Sequence, residues 1–140
     1  KGTQIVRLPG AKNMTDTEAA LDFVLDAGAD DVTLLGVLGG RMDHALANVG
    51  MLVRAHRRGA ACRILDDTNE LFAAEGECAL QGAPGQTVSI LPLTGDLTVT
   101  AKGLEYPLES LALPFGASRG VSNVMSSHTA RLSVRLRKDA

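Results

Sequence analysis

The chain has no tryptophan, one tyrosine and three phenylalanines, so only 3% of its residues carry an aromatic ring. Single-stranded nucleic acids are held largely by stacking bases on such rings, and duplexes by a surplus of basic charge. That surplus is missing too, since 14 Lys and Arg face 16 Asp and Glu for a formal charge of −2. Neither nucleic acid nor an anionic membrane surface is an expected partner. Cysteine is scarce: Cys62 and Cys78 stand outside any C-x-x-C or metal-ligand spacing and read as small apolar fillers. No run of about 18 apolar residues and no signal peptide is recognisable, so the expected compartment is the reduced cytoplasm. The first residue is Lys1, and a strand is expected almost at once, from Gln4 to Leu8; further sequence is expected upstream.

What is present suffices for one ordinary core or two small ones, with 45% of 140 residues hydrophobic. Thr15 followed by Glu18 has the spacing of a capping box, and Ala20, Leu21, Val24, Leu25 and Ala27 recur at helical spacing until Gly28. Asp31 to Val37 suits a buried strand. A second helix is predicted with Met42, Ala45, Leu46, Val49, Leu52 and Val53 on one face, closed by Arg57, Arg58 and Gly59, before a strand from Cys62 to Leu65. This βαβαβ order predicts a parallel sheet with right-handed crossovers, though two helices are few to cover it.

From about Asn69 the period changes from helical to alternating. Strands are predicted at Leu71 to Ala74, Gln86 to Pro92, Leu97 to Ala101 and Thr129 to Leu136. In the last, Ala130, Leu132, Val134 and Leu136 alternate with Arg131, Ser133, Arg135 and Arg137, one face inward and one in water. Gly103 to Ser127 reads as one long packed loop presenting Ser118 to Asn123. The expected fold class is therefore α/β followed by all-β: a partial parallel α/β domain over residues 1–68, then an antiparallel β-sandwich over 69–140.

The stretch from Gly36 to His44 concentrates chemistry between a strand and a helix. Gly39 and Gly40 let backbone N–H groups approach a ligand, the helix start favours an anion, and Arg41 offers a bidentate clamp for phosphate oxygens. It is neither the Gly-Lys-Ser/Thr loop nor G-x-G-x-x-G. On residues alone, Arg41 and Asp43 could equally form a surface ion pair or a helix cap, and Thr15 and Asp16 a helix start satisfying its own N–H groups. Lys12 screens phosphate or is simply solvated. His44 and Asn48 lie one turn apart, either as a structural pair or as support behind the turn. His56 and His128 read as ordinary surface histidines, and Ser122 and Asn123 as a polar turn or a ligand contact.

Three separated stretches together resemble one family. Lys12-Asn-Met-Thr15-Asp16-Thr-Glu18-Ala-Ala-Leu21 is similar to K-D-x-T-D-x-E-x-A-L; Gly36 to His44, with Asn48 beyond, is similar to G-x-x-G-G-R-x-D-H. Gly103-Leu-Glu-Tyr106-Pro107-Leu, followed by Gly120-Val-Ser122-Asn123, is similar to G-L-x-Y-P-L and G-x-S-N. The family is thiamine pyrophosphokinase, and the resemblance covers nearly the whole chain. It implies transfer of pyrophosphate from ATP to the thiamine hydroxyl, a need for magnesium, and a homodimer. In such a dimer, thiamine lies between the α/β domain of one subunit and the β-sandwich of the other.

Carried over residue by residue, the resemblance gives Lys12, Thr15, Asp16, Gly39, Gly40 and Arg41 to ATP and its phosphates, and Asp16 to magnesium. Arg41 and Asp43 become the catalytic candidates, with Asp43 as orienter, base or metal ligand. Ser122 and Asn123 would bind thiamine, and His44 and Asn48 would support the turn. The family's Gly-Asp-x-Asp-Ser motif is absent from this sequence, so the chain resembles a member lacking its first part and is expected to be inactive alone. Asn13 stands where Asp is common, and Val124 where Glu usually follows Ser-Asn; the latter is expected to alter affinity or the accepted alcohol. Two other readings are a pyrophosphokinase for a different alcohol such as a pterin, and an inactive thiamine- or nucleotide-binding module.

Overall fold

The computed structural model describes residues 5–7 and 13–137. The expected first strand falls mostly outside them: Ile5, Val6 and Arg7 are exposed and belong to no helix or strand, and Gln4 and Leu8 are not described. The chain divides into two compact units, Lys1–Ala73 and Ala74–Ala140.

The first unit begins with helix α1, Asp16–Asp26, capped by Thr15, whose Oγ1 accepts the Glu18 N–H at 3.2 Å. Only that half of the capping box forms as expected, because the Glu18 carboxylate sits 3.4 Å from Arg54. Gly28, at φ +90°, ends the helix where a side chain would be strained. Strand β1, Asp31–Leu35, stops two residues short of the expected Val37 because Gly36 turns the chain at φ +69°. Helix α2, Met42–Arg57, follows, and then strand β2, Ala61–Leu65, parallel to β1.

Two expectations need correction here. Leu71 does lie in a strand, but that strand, β3 (Glu70–Phe72), runs antiparallel to β2 and completes a mixed sheet of order β1-β2-β3. A tight turn makes this possible: Asp66 Oδ1 accepts the N–H groups of Thr68 and Asn69 at 2.8 and 2.7 Å. Secondly, the buried stripe of α2 is Asn48, Leu52 and Ala55, whereas Met42 and Leu46 are 70% and 64% exposed. The ion pairs between the helices explain why.

Arg54 lies 3.4 Å from Glu18 and 2.7 Å from Asp22, while Arg58 reaches Asp22 at 3.4 Å and also pairs with Asp26. Steps of four on both helices mean that α1 and α2 run side by side in the same direction. The aligned level, Arg54 with Glu18 and Asp22, lies near the start of α1 but three turns into α2. At 1.5 Å per residue the first turn of α2 therefore projects about 12 Å beyond that of α1. Met42 and Leu46 lie on the projecting part, past the reach of α1.

The second unit is all antiparallel. Strands β4 (Gly76–Gln81), β6 (Leu97–Lys102), β7 (Leu108–Leu113) and β9 (Thr129–Leu136) form a sheet of order β4-β9-β6-β7. A two-stranded ribbon pairs β5 (Thr87–Val88) with β8 (Asn123–Val124). The predicted alternation of β9 holds for Ala130, Leu132 and Val134, all buried beside Val99, Ala101, Leu113 and Met125; Leu136, at the strand's end, is 41% exposed. The expected strand from Gln86 to Pro92 shrinks to β5, and β4 lies where none was expected. The predicted long loop contains β7 and β8. β7 escapes detection because its pairing is bulged. Between Ala101 paired with Leu108 and Val99 paired with Leu111, β6 contributes Thr100 alone and β7 contributes Glu109 and Ser110. Leu108 and Leu111, three apart, thus pack on the same core and break the period of two.

Asp22 gives the first unit a pH signature. Hydrogen bonds from the Arg54 guanidinium, with the charges of Arg54 and Arg58, hold its carboxyl below the ordinary carboxylate range against the opposing effect of burial. A carboxylate depressed in the folded state stabilises above its unfolded pKa, and that contribution is lost as pH falls through the folded pKa. In the full-length protein, Asp22→Asn is expected to lower stability by about 0.5–1 kcal/mol at neutral pH, with little difference from the parent once the medium is acid enough to protonate Asp22. Urea melts between neutral and acid pH check this; a deficit unchanged in acid would show that the contribution is not ionic.

Candidate active site

The glycine-bearing turn joins the end of β1 to the start of α2. Leu35 ends the strand, Gly36 reverses the chain, and Gly39 and Gly40 have open space where a Cβ would stand, so the backbone is approachable. Arg41 occupies the N-cap of α2 with extended backbone angles and no side-chain cap, which leaves the helix start open to an anion. Its guanidinium instead grips Asp43, Nε to Oδ1 at 3.2 Å and Nη2 to Oδ2 at 2.7 Å. Both side chains are about two-thirds or more exposed, at 72% and 66%. The Arg41 hydrogen bonds, with a smaller contribution from the His44 backbone N–H, hold the Asp43 carboxyl below its ordinary range. A fork so placed suits an anionic oxygen as well as it suits Asp43, and an exposed pair gives up its partner at little cost.

Asn48 fixes the turn from behind. It is buried, and its Nδ2 donates to the Val37 carbonyl at 2.7 Å. That carbonyl, and not His44, is its partner; His44 is exposed. Thr15 and Asp16 begin the other helix, and the ion-pair register sets that start about 10 Å behind Asp43 along the helix axes. The structure thus brings Arg41 and Asp43 together. Among the described residues no group of three or more His, Cys, Asp or Glu is placed to hold a metal ion. Lys12 lies outside the described residues.

In the second unit a cavity of about 360 Å³ is walled by Tyr106–Glu109, Leu111, Arg119 and Val121–Asn123. Its volume falls in the range of small-molecule sites. Ser122 reaches it from a left-handed backbone, φ +63°, and its N–H donates to Ser89 Oγ at 3.1 Å. Asn123 is buried and works on the backbone. Its Oδ1 accepts from the N–H groups of Tyr106 and Val124 at 3.1 and 2.9 Å, and its Nδ2 donates to the Tyr106 carbonyl at 2.7 Å. Gly120 closes the loop onto Ile90, where a Cβ would come within 2.3 Å of the Ile90 carbonyl oxygen. Val124 pairs with Thr87 in β8, next to the cavity residue Asn123. Sequence reasoning singled out neither Tyr106 nor Glu109 as a wall residue. The tyrosine lay inside the family motif and Arg119 inside the stretch Ser118 to Asn123 that the loop was expected to present, but nothing in the spacing marked Glu109.

Comparison with known proteins gives the two units a common context. Residues 1–64 match the family model described as thiamin pyrophosphokinase, catalytic domain, and residues 77–139 match thiamin pyrophosphokinase, vitamin B1 binding domain. The thiamine pyrophosphokinase of Bacillus subtilis is 29% identical over 115 residues, covering 80% of this chain and 54% of that protein. Thiamin pyrophosphokinase 1 of Caenorhabditis elegans is 27% identical, covering 91% of this chain and 56% of its own length. The crystal structure of the Bacillus subtilis enzyme superposes with a TM-score of 0.84 at 27% identity, over 90% of this chain and 61% of that one. That of an Enterococcus faecalis thiamin pyrophosphokinase family protein gives 0.81 at 27% identity, over 94% and 64%. The chain spans just over half the length of the curated relatives it matches. With both halves matched in order and the fold shared throughout, the chain belongs to the thiamine pyrophosphokinase family.

Proposed function

We propose that the protein containing this chain is a thiamine pyrophosphokinase, transferring the terminal pyrophosphate of ATP to thiamine to give thiamine diphosphate and AMP. The observation that carries this reading is the match of both units, in order, to that family's catalytic and vitamin B1 binding domains, the second of which holds the cavity at Ser122. In the reaction the hydroxyethyl oxygen of thiamine attacks the β-phosphorus, the bond from that phosphorus to the α,β-bridging oxygen breaks, and AMP departs with the electron pair. The hydroxyl proton is released. Such transfers depend on positioning and on charge neutralisation more than on covalent help from the protein.

Arg41 supplies the charge in this reading. Its fork exchanges Asp43 for phosphate oxygens, assisted by the backbone N–H groups at the start of α2. Asp43, ionised throughout the neutral range, is a weak base but a good hydrogen-bond acceptor, suited to orienting the thiamine hydroxyl. Ser122 presents a hydroxyl to thiamine in the cavity, and Asn123 shapes the wall. Magnesium would enter as the companion of ATP, neutralising phosphate charge. A homodimer in the cytoplasm completes the proposal; Leu91, Leu93 and Phe115, about half or more exposed on the second unit, are apolar surface that a second copy would cover.

Two outcomes are expected in the full-length protein. Arg41→Ala lowers kcat/KM by on the order of 10²-fold while leaving the thermal melt within experimental scatter, because its side chain is exposed and its partner stays in water. Paired kinetics and melts decide this, and unaltered turnover would remove Arg41 from the chemistry.

Ser122→Ala and Asn123→Ala should part company. The first raises the thiamine dissociation constant roughly tenfold, as expected for one lost hydrogen bond, with stability nearly intact. The second lowers stability by about 2–3 kcal/mol, since two N–H groups and a carbonyl lose the amide that satisfies them. Calorimetric titration with thiamine, alongside denaturant melts, separates the two. Unchanged thiamine affinity in Ser122→Ala would place the substrate elsewhere.

A further inference from the structure

Two ionisable side chains, Glu109 and Arg119, stand on the cavity wall beside Ser122. Glu109 arrives there by an unusual route. It belongs to β7, the edge strand of its sheet, and falls at the bulge where Glu109 and Ser110 together face Thr100. In an unbroken strand Leu108 and Leu111 would point to opposite faces. The extra residue lets both pack against the core while Glu109 stays on the cavity. Ser110 absorbs the irregularity at φ +49°, a conformation unfavourable for any residue with a side chain, and its N–H donates to Thr100 Oγ1 at 3.2 Å. Bulges beside binding sites commonly serve to re-aim a side chain. No hydrogen bond or ion pair engages the Glu109 carboxylate among the described residues.

We propose that Glu109 is a specificity-determining residue that selects a permanently cationic ring in this cavity, the thiazolium of thiamine, from neutral molecules of the same shape. The inference rests on reading the cavity as the thiamine site. A thiazolium carries its charge throughout the acid and neutral range and has no N–H to donate, so a carboxylate recognises it chiefly through charge. Arg119, of opposite sign on the same wall, repels a cation and biases the ring toward Glu109. Ser122 reads the ligand's hydrogen-bonding atoms, and Glu109 reads its charge.

The test compares thiamine with its neutral isostere, in which a thiophene replaces the thiazolium and the hydroxyethyl group is kept. Both are titrated calorimetrically into the full-length protein and into its Glu109→Gln variant, which keeps size and shape. The expected result is a three- to tenfold weaker thiamine affinity in the variant with isostere affinity unchanged, the range for one unit charge near the surface at contact distance. Thiamine KM should rise by the same factor with kcat nearly constant. Equal changes for both compounds, or no change for either, overturn the role of Glu109 while leaving the thiamine reading in place. A parent protein that binds neither compound overturns the thiamine reading itself, and this inference with it.

Discussion

A polar group taken out of water must find a partner, and in this chain that requirement falls on two asparagines. Asn48 and Asn123 are the buried polar residues among those described, one in each unit, and neither amide is left unsatisfied. Asn48 ties α2 to Val37, 11 residues earlier, and so sets the path of the glycine-rich turn. Asn123 ties β8 to both backbone groups of Tyr106, 17 residues earlier, and so sets the wall of the cavity. Each contributes more by what it would leave exposed than by the bonds alone, because removing the amide strands backbone groups in a place water does not reach. The two candidate sites are thus loops held from inside, with their working side chains free on the outside.

The contrast between inner and outer contacts accounts for much of the first unit. Bidentate and networked pairs bind Arg54 and Arg58 to three carboxylates of α1, fixing the two helices in one register. The same register leaves the first turn of α2 projecting, with Arg41 and Asp43 paired with each other in solvent. An exposed pair contributes little to stability, so exchanging it for a ligand would cost little. A guanidinium locked into the inner network would be a poor phosphate clamp, since taking it would break the contact between helices.

Much of this was legible in the sequence where local chemistry is strong. Thr15 capped the helix it was expected to cap, Met42 to Arg57 formed a helix of the expected length, and β9 alternated as its side chains required through Val134. Reading failed where tertiary context decides. Leu71 to Ala73 is apolar enough for either unit, and only the Asp66 turn, which folds it back onto β2, assigns it. Met42 and Leu46 match the helical period of the core stripe, but their exposure follows from how far α2 overruns α1, which no local pattern encodes. β7 was hidden because a bulge erases the alternation by which strands are found, and Glu109 was hidden with it. The family motifs marked Ser122 and Asn123 equally, and both line the cavity, yet the Asn123 amide is engaged on backbone by three hydrogen bonds.

Backbone strain in the second unit follows the same geography. Ser110 and Ser122 are the described non-glycine residues with positive φ, and each adjoins or lines the cavity. Each is also held by a neighbouring hydroxyl, Thr100 Oγ1 for the one and Ser89 Oγ for the other, accepting the strained residue's own N–H. Strain persists only where surrounding structure over-determines it, and here the sheet core beneath, with Val99, Ala101 and Leu113 nearly inaccessible, supplies that rigidity. The cost is met before any ligand arrives, so a molecule entering the cavity need not order Glu109 and Ser122 at the expense of its own binding energy. A relaxed β7 without the bulge would sit more comfortably in the sheet, but it would turn either Leu108 or Leu111 away from the core.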